Sequence, residues 1–179
     1  LPEMRRTAKV VNFGIMYGAG PFRISQELGI PRIEAVAIID SYFDQYSGIR
    51  NYIDSTLKKA RNDKYVETML GRRRPVWDAN SDNGLKRQAA ERMAINMPIQ
   101  GSAAEMIKLA MCSIHNEIVA QKMKSKMVLQ IHDELLFEFP ESEEELLIKL
   151  VVNKMENAMK LSVPLVVDYG IGKNWFEAH

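Results

Sequence analysis

Arg5, Lys9, Phe13 and Tyr17 recur every four residues, and at 100° per residue they drift across only about 120° of one helix face. That stripe carries two cations and two aromatic rings. Cations in the first turn of a helix face the positive end of its dipole, at a cost of roughly a few tenths of a kcal/mol that a bound anion offsets. A nucleotide has the matching parts, with phosphates for Arg5 and Lys9 and a base or sugar for the two rings. A solvated basic face with two half-buried aromatics has the same spacing, and the stripe alone leaves both readings open.

Three further groups could do chemistry. Arg92, Asn96 and Gln100 stand at i, i+4 and i+8 and share about 80° of helix arc. A polar line through an apolar helix serves either to reach outward to a partner or to satisfy neighbouring backbone. Arg72, Arg73 and Arg74 follow Gly71 as a basic run suited to backbone phosphate or to solvent. His132, Asp133 and Glu134 separate two short apolar runs, where an acidic pair is either a turn former or a metal ligand on a rigid hairpin. The glutamates at 143–145 are read as structural, since carboxylates in a first helical turn are favoured by the dipole.

These groups need elements to position them. A helical pattern over 3–17 is stopped by Gly18 and Gly20 with Pro21 beyond, the order of a helix end. Short helices are predicted near 21–28, from Pro31 to about Tyr46, and from Ile49 to Asn62. Tyr65 to Trp77 breaks into two extended pieces around Gly71, followed by a polar turn to Gly84. Leu85 to about Gln121 reads as a long helix that Pro98 should kink or break. Met127–Ile131 and Leu135–Phe139 then form a hairpin with a polar tip. Ser142 and Glu145 make a capping box for a helix to about Leu161, and Leu165–Tyr169 a further strand. Helices followed by an αββαβ order predict an α+β chain.

Against these residues the chain resembles family A DNA polymerases, the bacterial DNA polymerase I type. Arg5, Lys9, Phe13, Gly14, Tyr17 and Gly18 match the fingers motif Arg-x-x-x-Lys-x-x-x-Phe-Gly-x-x-Tyr-Gly, and His132, Asp133 and Glu134 match the His-Asp-Glu of the catalytic palm motif. The segments 70–74, 92–105 and 170–175 resemble the same family in the same order. The resemblance implies a helical fingers subdomain over 1–86 and, over 87–179, the C-terminal part of an antiparallel-sheet palm with flanking helices. It implies Arg5 and Lys9 on triphosphate, Phe13 near sugar and base, and Tyr17 at the template-base position until closure. Asp133 and Glu134 become metal ligands for two Mg²⁺ ions, catalytic together with Lys9. His132 turns toward the primer end, Arg72, Arg73 and Arg74 to DNA backbone, and Arg92, Asn96 and Gln100 to the minor groove. Partners are then primer–template DNA and deoxynucleoside triphosphates, with a monomeric parent in the bacterial cytoplasm on the nucleoid.

The match has a gap. The family's Asp-Tyr-Ser motif, which supplies the first catalytic Asp, is missing; Asp168 and Tyr169 mimic two of its letters but lie downstream, and Asp40, Ser41 and Tyr42 do not fit it. Two ions need carboxylates from more than one segment, so the stretch is expected to be inactive alone. It starts at Leu1 without Met and reads as part of a longer chain. The alternatives are a non-catalytic nucleic-acid-binding module and a small helical regulatory protein.

Bulk properties fit an ordinary globular chain. The 179 residues are 46% hydrophobic and 26% charged, enough to bury a core. The net charge of +1 hides a split, with 16 Lys and Arg against 11 Asp and Glu over 1–100 and 8 against 12 over 101–179. No apolar run reaches membrane-spanning length and no secretory leader is recognised. The single Cys112 has no disulfide partner in the chain and is expected to be a buried small hydrophobe. The segment 170–175 lacks phosphate-loop spacing.

Overall fold

The computed structural model describes residues 2–178, and the fold is α+β, with two compact units, Leu1–Ser102 and Ala103–His179. In the first unit α1 (Pro2–Met16), α2 (Pro21–Leu28), α3 (Arg32–Gln45) and α4 (Ser47–Asp63) precede a small antiparallel hairpin of β1 (Tyr65–Glu67) and β2 (Arg73–Pro75). A 3-10 turn at Trp77–Asn80 leads into α5 (Gly84–Ala120), whose part up to Ser102 belongs to this unit.

Local chemistry sets these boundaries. Gly18 takes φ 76°, a left-handed conformation that ends α1 one residue after Tyr17, whose N–H still reaches the Phe13 carbonyl at 2.9 Å. Pro21 then opens α2 at its first turn. The core here is Ala60 of α4, Val66 of β1, Val76 before the 3-10 turn and Ala79 within it, and Ala90 and Ala94 of α5. Small residues let these elements approach closely. At Gly101 a methyl group would lie 2.6 Å from Thr68 Cγ2, so only glycine lets the turn after β1 seat on α5.

In the second unit β3 (Lys126–Ile131) and β4 (Glu134–Glu138) form an antiparallel hairpin with a bulge between Met127 and Leu129. It is followed by α6 (Glu144–Glu156) and α7 (Trp175–Ala178). Met127, Leu135 and Phe137 pack on Ala110, Ile114 and Ile118 of α5 and Leu147 and Leu150 of α6. Lys154 pairs with Glu117 at 3.1 Å, joining α6 to α5.

Several expectations need correction. Of the two outcomes expected at Pro98, a kink or a break, the break does not occur, since α5 runs through it. The hairpin tip is two residues, His132 and Asp133, because Glu134 is already paired with Ile131 in the ladder. The Ser142–Glu145 capping box does not form: Ser142 lies in a 3-10 turn, the N-cap is Glu143, and no side chain caps α6. The Glu143 carboxylate is occupied elsewhere, by Lys124 and Ser125. The helix ends at Glu156 rather than Leu161, since the Asn157 side-chain amide donates to the Asn153 carbonyl and competes with continued helix. Leu165–Tyr169 is not a strand, because among the described residues neither hairpin strand pairs with it; Val167 N–H instead donates to Glu156 Oε1 at 3.3 Å. Cys112 is exposed. The buried line of α5 is Ala110, Ile114 and Ile118, and a residue two places off that line points to the other side of the helix.

Candidate functional site

The stripe on α1 is an open face. Arg5 and Lys9 are exposed, Phe13 is 49% exposed, and Ile15 supplies the buried side. Four residues of helix separate the two cations by about 6 Å along the axis, a spacing that can straddle adjacent phosphates. The Phe13 and Tyr17 rings stack, centroids 6.1 Å apart and 12° from coplanar. Asn12, beside the stripe, accepts the Tyr42 phenol of α3 at 2.6 Å, which fixes the rotation of α1 about its axis.

The α5 stripe is built against the same unit. Arg92 and Gln100 are exposed and Asn96 is half-buried, its Oδ1 buried with no hydrogen-bond partner among the described residues. Around Pro98 the Tyr52 hydroxyl donates to the Ile95 carbonyl at 2.7 Å, Ser102 Oγ donates to the Pro98 carbonyl at 2.5 Å, and the Met69 N–H donates to Ser102 Oγ at 2.9 Å. The turn after α1 reaches this helix. A methyl on Gly18 would stand 3.3 Å from Arg92 Cγ and 3.6 Å from Ile95 Cδ1, so Gly18 sits against Arg92.

The three consecutive arginines do not act as a unit. Arg74 Nε lies 3.2 Å from Met93 Sδ, next to Arg92 on α5. Arg73 stacks over Tyr65, 4.5 Å from its centroid, and donates to Glu67 Oε2 at 3.4 Å. Lys59 also bonds Glu67. The Lys59 ammonium, with the Arg73 guanidinium second, holds the Glu67 carboxyl below its usual range. Arg72 is exposed, and its N–H donates to Thr68 Oγ1 at 3.0 Å.

At the hairpin tip His132 has φ 54°, and Asp133 is not in the left-handed region. Positive φ at the first of two turn residues alone is the sign pattern of a type II′ turn, which normally has glycine there. Histidine at such a position stores about 1 kcal/mol or more, the kind of strain that gathers at functional sites. The Gln130 amide braces it by donating to the His132 carbonyl. His132, Asp133 and Glu134 are all exposed, with the carboxylate of Asp133 carried between paired strands.

The root of that hairpin is clamped by Glu143. Its oxygens accept Lys124 N–H at 2.8 Å, Ser125 N–H at 2.9 Å and Ser125 Oγ–H at 2.6 Å. The Lys124 amide, followed by the Ser125 hydroxyl, holds this carboxyl below its ordinary value. For a divalent cation, Asp133 and Glu134 offer hard oxygen donors of the right chemistry. Among the described residues no group of three His, Cys, Asp or Glu converges.

Sequence reasoning passed over Tyr52 and Ser102, and it reads Glu143 as structural through the helix dipole, without its bonds to Lys124 and Ser125. Pro98 carried a signal that α5 needs support at this turn, because a helical proline leaves the carbonyl four residues back, here of Ala94, without its usual donor, although the bonds observed go to the neighbouring Ile95 and Pro98 carbonyls. Glu143 gave no signal of its bonds, since a carboxylate at a helix start is commonplace.

Comparison with known proteins adds to this geometry. A family model described as DNA polymerase family A matches residues 1–177. The chain is 50% identical over 174 residues to DNA polymerase I of Streptococcus pneumoniae, covering 97% of this chain and 20% of that protein. It is 48% identical over 177 residues to the thermostable DNA polymerase I of Thermus thermophilus, covering 99% and 21%. The chain thus spans about a fifth of the length of these relatives. Among solved structures, the POL domain of Pol1 from M. smegmatis, in complex with DNA primer-template and dNTP, superposes with a TM-score of 0.97 at 43% identity, over 99% of this chain and 31% of that one.

Proposed function

The chain belongs to DNA polymerase family A, and from that premise we propose that it serves, within a longer enzyme, template-directed addition of deoxynucleotides to a primer 3′ end. Residues 1–86 act as fingers and 87–179 as the C-terminal part of the palm. The observation that carries this reading is the exposed α1 stripe, whose paired cations and stacked rings match the parts of a nucleoside triphosphate.

Arg5 and Lys9 take the triphosphate, by charge-assisted hydrogen bonds that strengthen as negative charge shifts toward the leaving pyrophosphate. Phe13 packs on sugar and base, while Tyr17 occupies the template position until the fingers close. Arg92, Asn96 and Gln100 donate to purine N3 and pyrimidine O2, acceptors present in every correct pair, and so test pair shape without reading sequence. Arg72, Arg73 and Arg74 face the DNA backbone; Arg73, already tied to Glu67 and Tyr65, contributes most by holding the β1–β2 turn. His132 faces the primer terminus.

Asp133 and Glu134 would hold Mg²⁺, together with carboxylates from another segment of the enzyme. Bound there, a pair of such ions activates the primer hydroxyl and neutralises charge on the leaving group. The reading places the enzyme in the bacterial cytoplasm on nucleoid DNA, acting in replication and repair as a monomer. No helix among the described residues is long and apolar enough to cross a membrane.

The test is restoration. Residues 1–179 alone are expected not to extend a primer, and a longer polypeptide carrying the preceding Asp-Tyr-Ser segment is expected to do so with Mg²⁺. A longer polypeptide that binds primer–template but never incorporates a nucleotide would make the chain a non-catalytic nucleic-acid-binding module.

A further inference from the structure

We propose that Tyr52 is a positioning residue for the α5 stripe: its phenol pins the proline turn of the helix and thereby sets where Asn96 and Gln100 stand against a base-pair edge. This rests on the polymerase reading above. Pro98 has no N–H, so the Ala94 carbonyl loses its donor four residues on, which weakens α5 at that turn without ending it. The next carbonyl, of Ile95, accepts the Tyr52 hydroxyl at 2.7 Å from α4. On the far side of the proline, Ser102 Oγ–H bonds the Pro98 carbonyl at 2.5 Å and is itself bonded by the Met69 N–H at 2.9 Å. The weakened turn is therefore held from α4 and from the turn after β1.

Asn96 follows Ile95 directly, so the backbone that Tyr52 holds is the backbone that aims Asn96. Its Oδ1 is buried with no hydrogen-bond partner among the described residues, so no bond to that oxygen fixes the side chain. Ile95 is 4% exposed, which anchors the same peptide through its side chain. Burial pushes the Tyr52 phenol above its ordinary value, with Thr56 acting in the opposite direction, so the hydroxyl remains a donor at neutral pH.

The experiment compares Tyr52→Phe with wild type in the longer polymerase that contains this chain. Phenylalanine keeps the ring and deletes only the donor. Hydrogen exchange over residues 95–102 reads the turn directly, and single-turnover extension from matched and mismatched primer ends reads its consequence. Exchange there should quicken in Tyr52→Phe, and discrimination against mismatched ends should fall about three- to tenfold, the effect of one hydrogen bond. Asn96→Ala should lower discrimination too, and Tyr52→Phe should add little to it. Unchanged exchange overturns the proposal. Faster exchange with unchanged discrimination, or full additivity with Asn96→Ala, overturns the positioning role and leaves a structural hydrogen bond. If Asn96→Ala and Gln100→Ala are silent while exchange still responds to Tyr52→Phe, the minor-groove reading has failed and the positioning role falls with it.

Discussion

Replacing Gly14 by alanine tests how α1 is held. An added Cβ would lie 2.7 Å from Ile24 Cδ1 and 3.6 Å from Ala19 Cβ, the first about 1 Å short of carbon–carbon contact. Ile24 is 0% exposed, so its terminal methyl has no free space to enter, and overpacking of this kind costs about 1–3 kcal/mol. Alanine also gains about 1 kcal/mol over glycine in a helix interior, so Gly14→Ala should destabilise by about 0–2 kcal/mol. Ile24→Val removes the methyl that is struck, at a cost of about 0.5–1.5 kcal/mol by itself. In that background the clash is relieved and the helix-propensity gain remains, so Gly14→Ala should become stabilising by up to about 1 kcal/mol. Urea unfolding of the four proteins in this cycle measures the coupling. Additive effects, with Gly14→Ala equally harmful in both backgrounds, would refute close packing of α1 on α2 as the reason for glycine.

Other outcomes are expected. Ile114→Ala, at a fully buried site between the hairpin and α6, should cost about 2–5 kcal/mol in denaturant unfolding; a loss well below 1 kcal/mol would contradict the core assignment. The depressed Glu143 carboxyl contributes stability that is complete above the ordinary carboxylate value, about pH 4.3, and is lost as pH falls through the lower folded value. Glu143→Gln should therefore lower Tm at neutral pH and flatten the acid limb of a Tm–pH profile below about pH 4.3; parallel profiles would count against the clamp. In the longer polymerase the hydroxyl added by Phe13→Tyr would stand beside the sugar and take the place of a missing 3′-hydroxyl, so the ratio of dideoxy to deoxy incorporation should rise; an unchanged ratio would remove Phe13 from the sugar.

Periodicity made most elements legible. The 3.6-residue pattern located α1 to α5, and the Gly18–Pro21 punctuation located the first stop, because those signals are local. The misses share a different origin. Leu165–Tyr169 has strand composition, yet a strand exists only where another pairs with it, which composition cannot report. The Ser142 cap failed because Glu143 had a better use 18 residues away at Ser125. Cys112 is exposed within an apolar run because the core-facing line of that run is Ala110, Ile114 and Ile118, every fourth residue. At the candidate site the residue types were visible as stripes and a bend, while the supports were not. Tyr52, Ser102 and the Asn12–Tyr42 pair depend on contacts between residues 4 to 43 positions apart.

The central claim is that the α1 cations grip triphosphate and that the hairpin carboxylate of Asp133 holds a metal ion for nucleotidyl transfer. Single-turnover incorporation by the longer polymerase tests it, with Lys9→Ala and Asp133→Asn measured across dNTP and Mg²⁺ concentrations. Lys9→Ala should weaken apparent dNTP binding about ten- to a hundredfold, the worth of a charge-assisted contact. Asp133→Asn should slow incorporation by about a thousandfold or more while dNTP still binds. Incorporation by Asp133→Asn within about twofold of wild type, with unchanged Mg²⁺ dependence, would contradict the account.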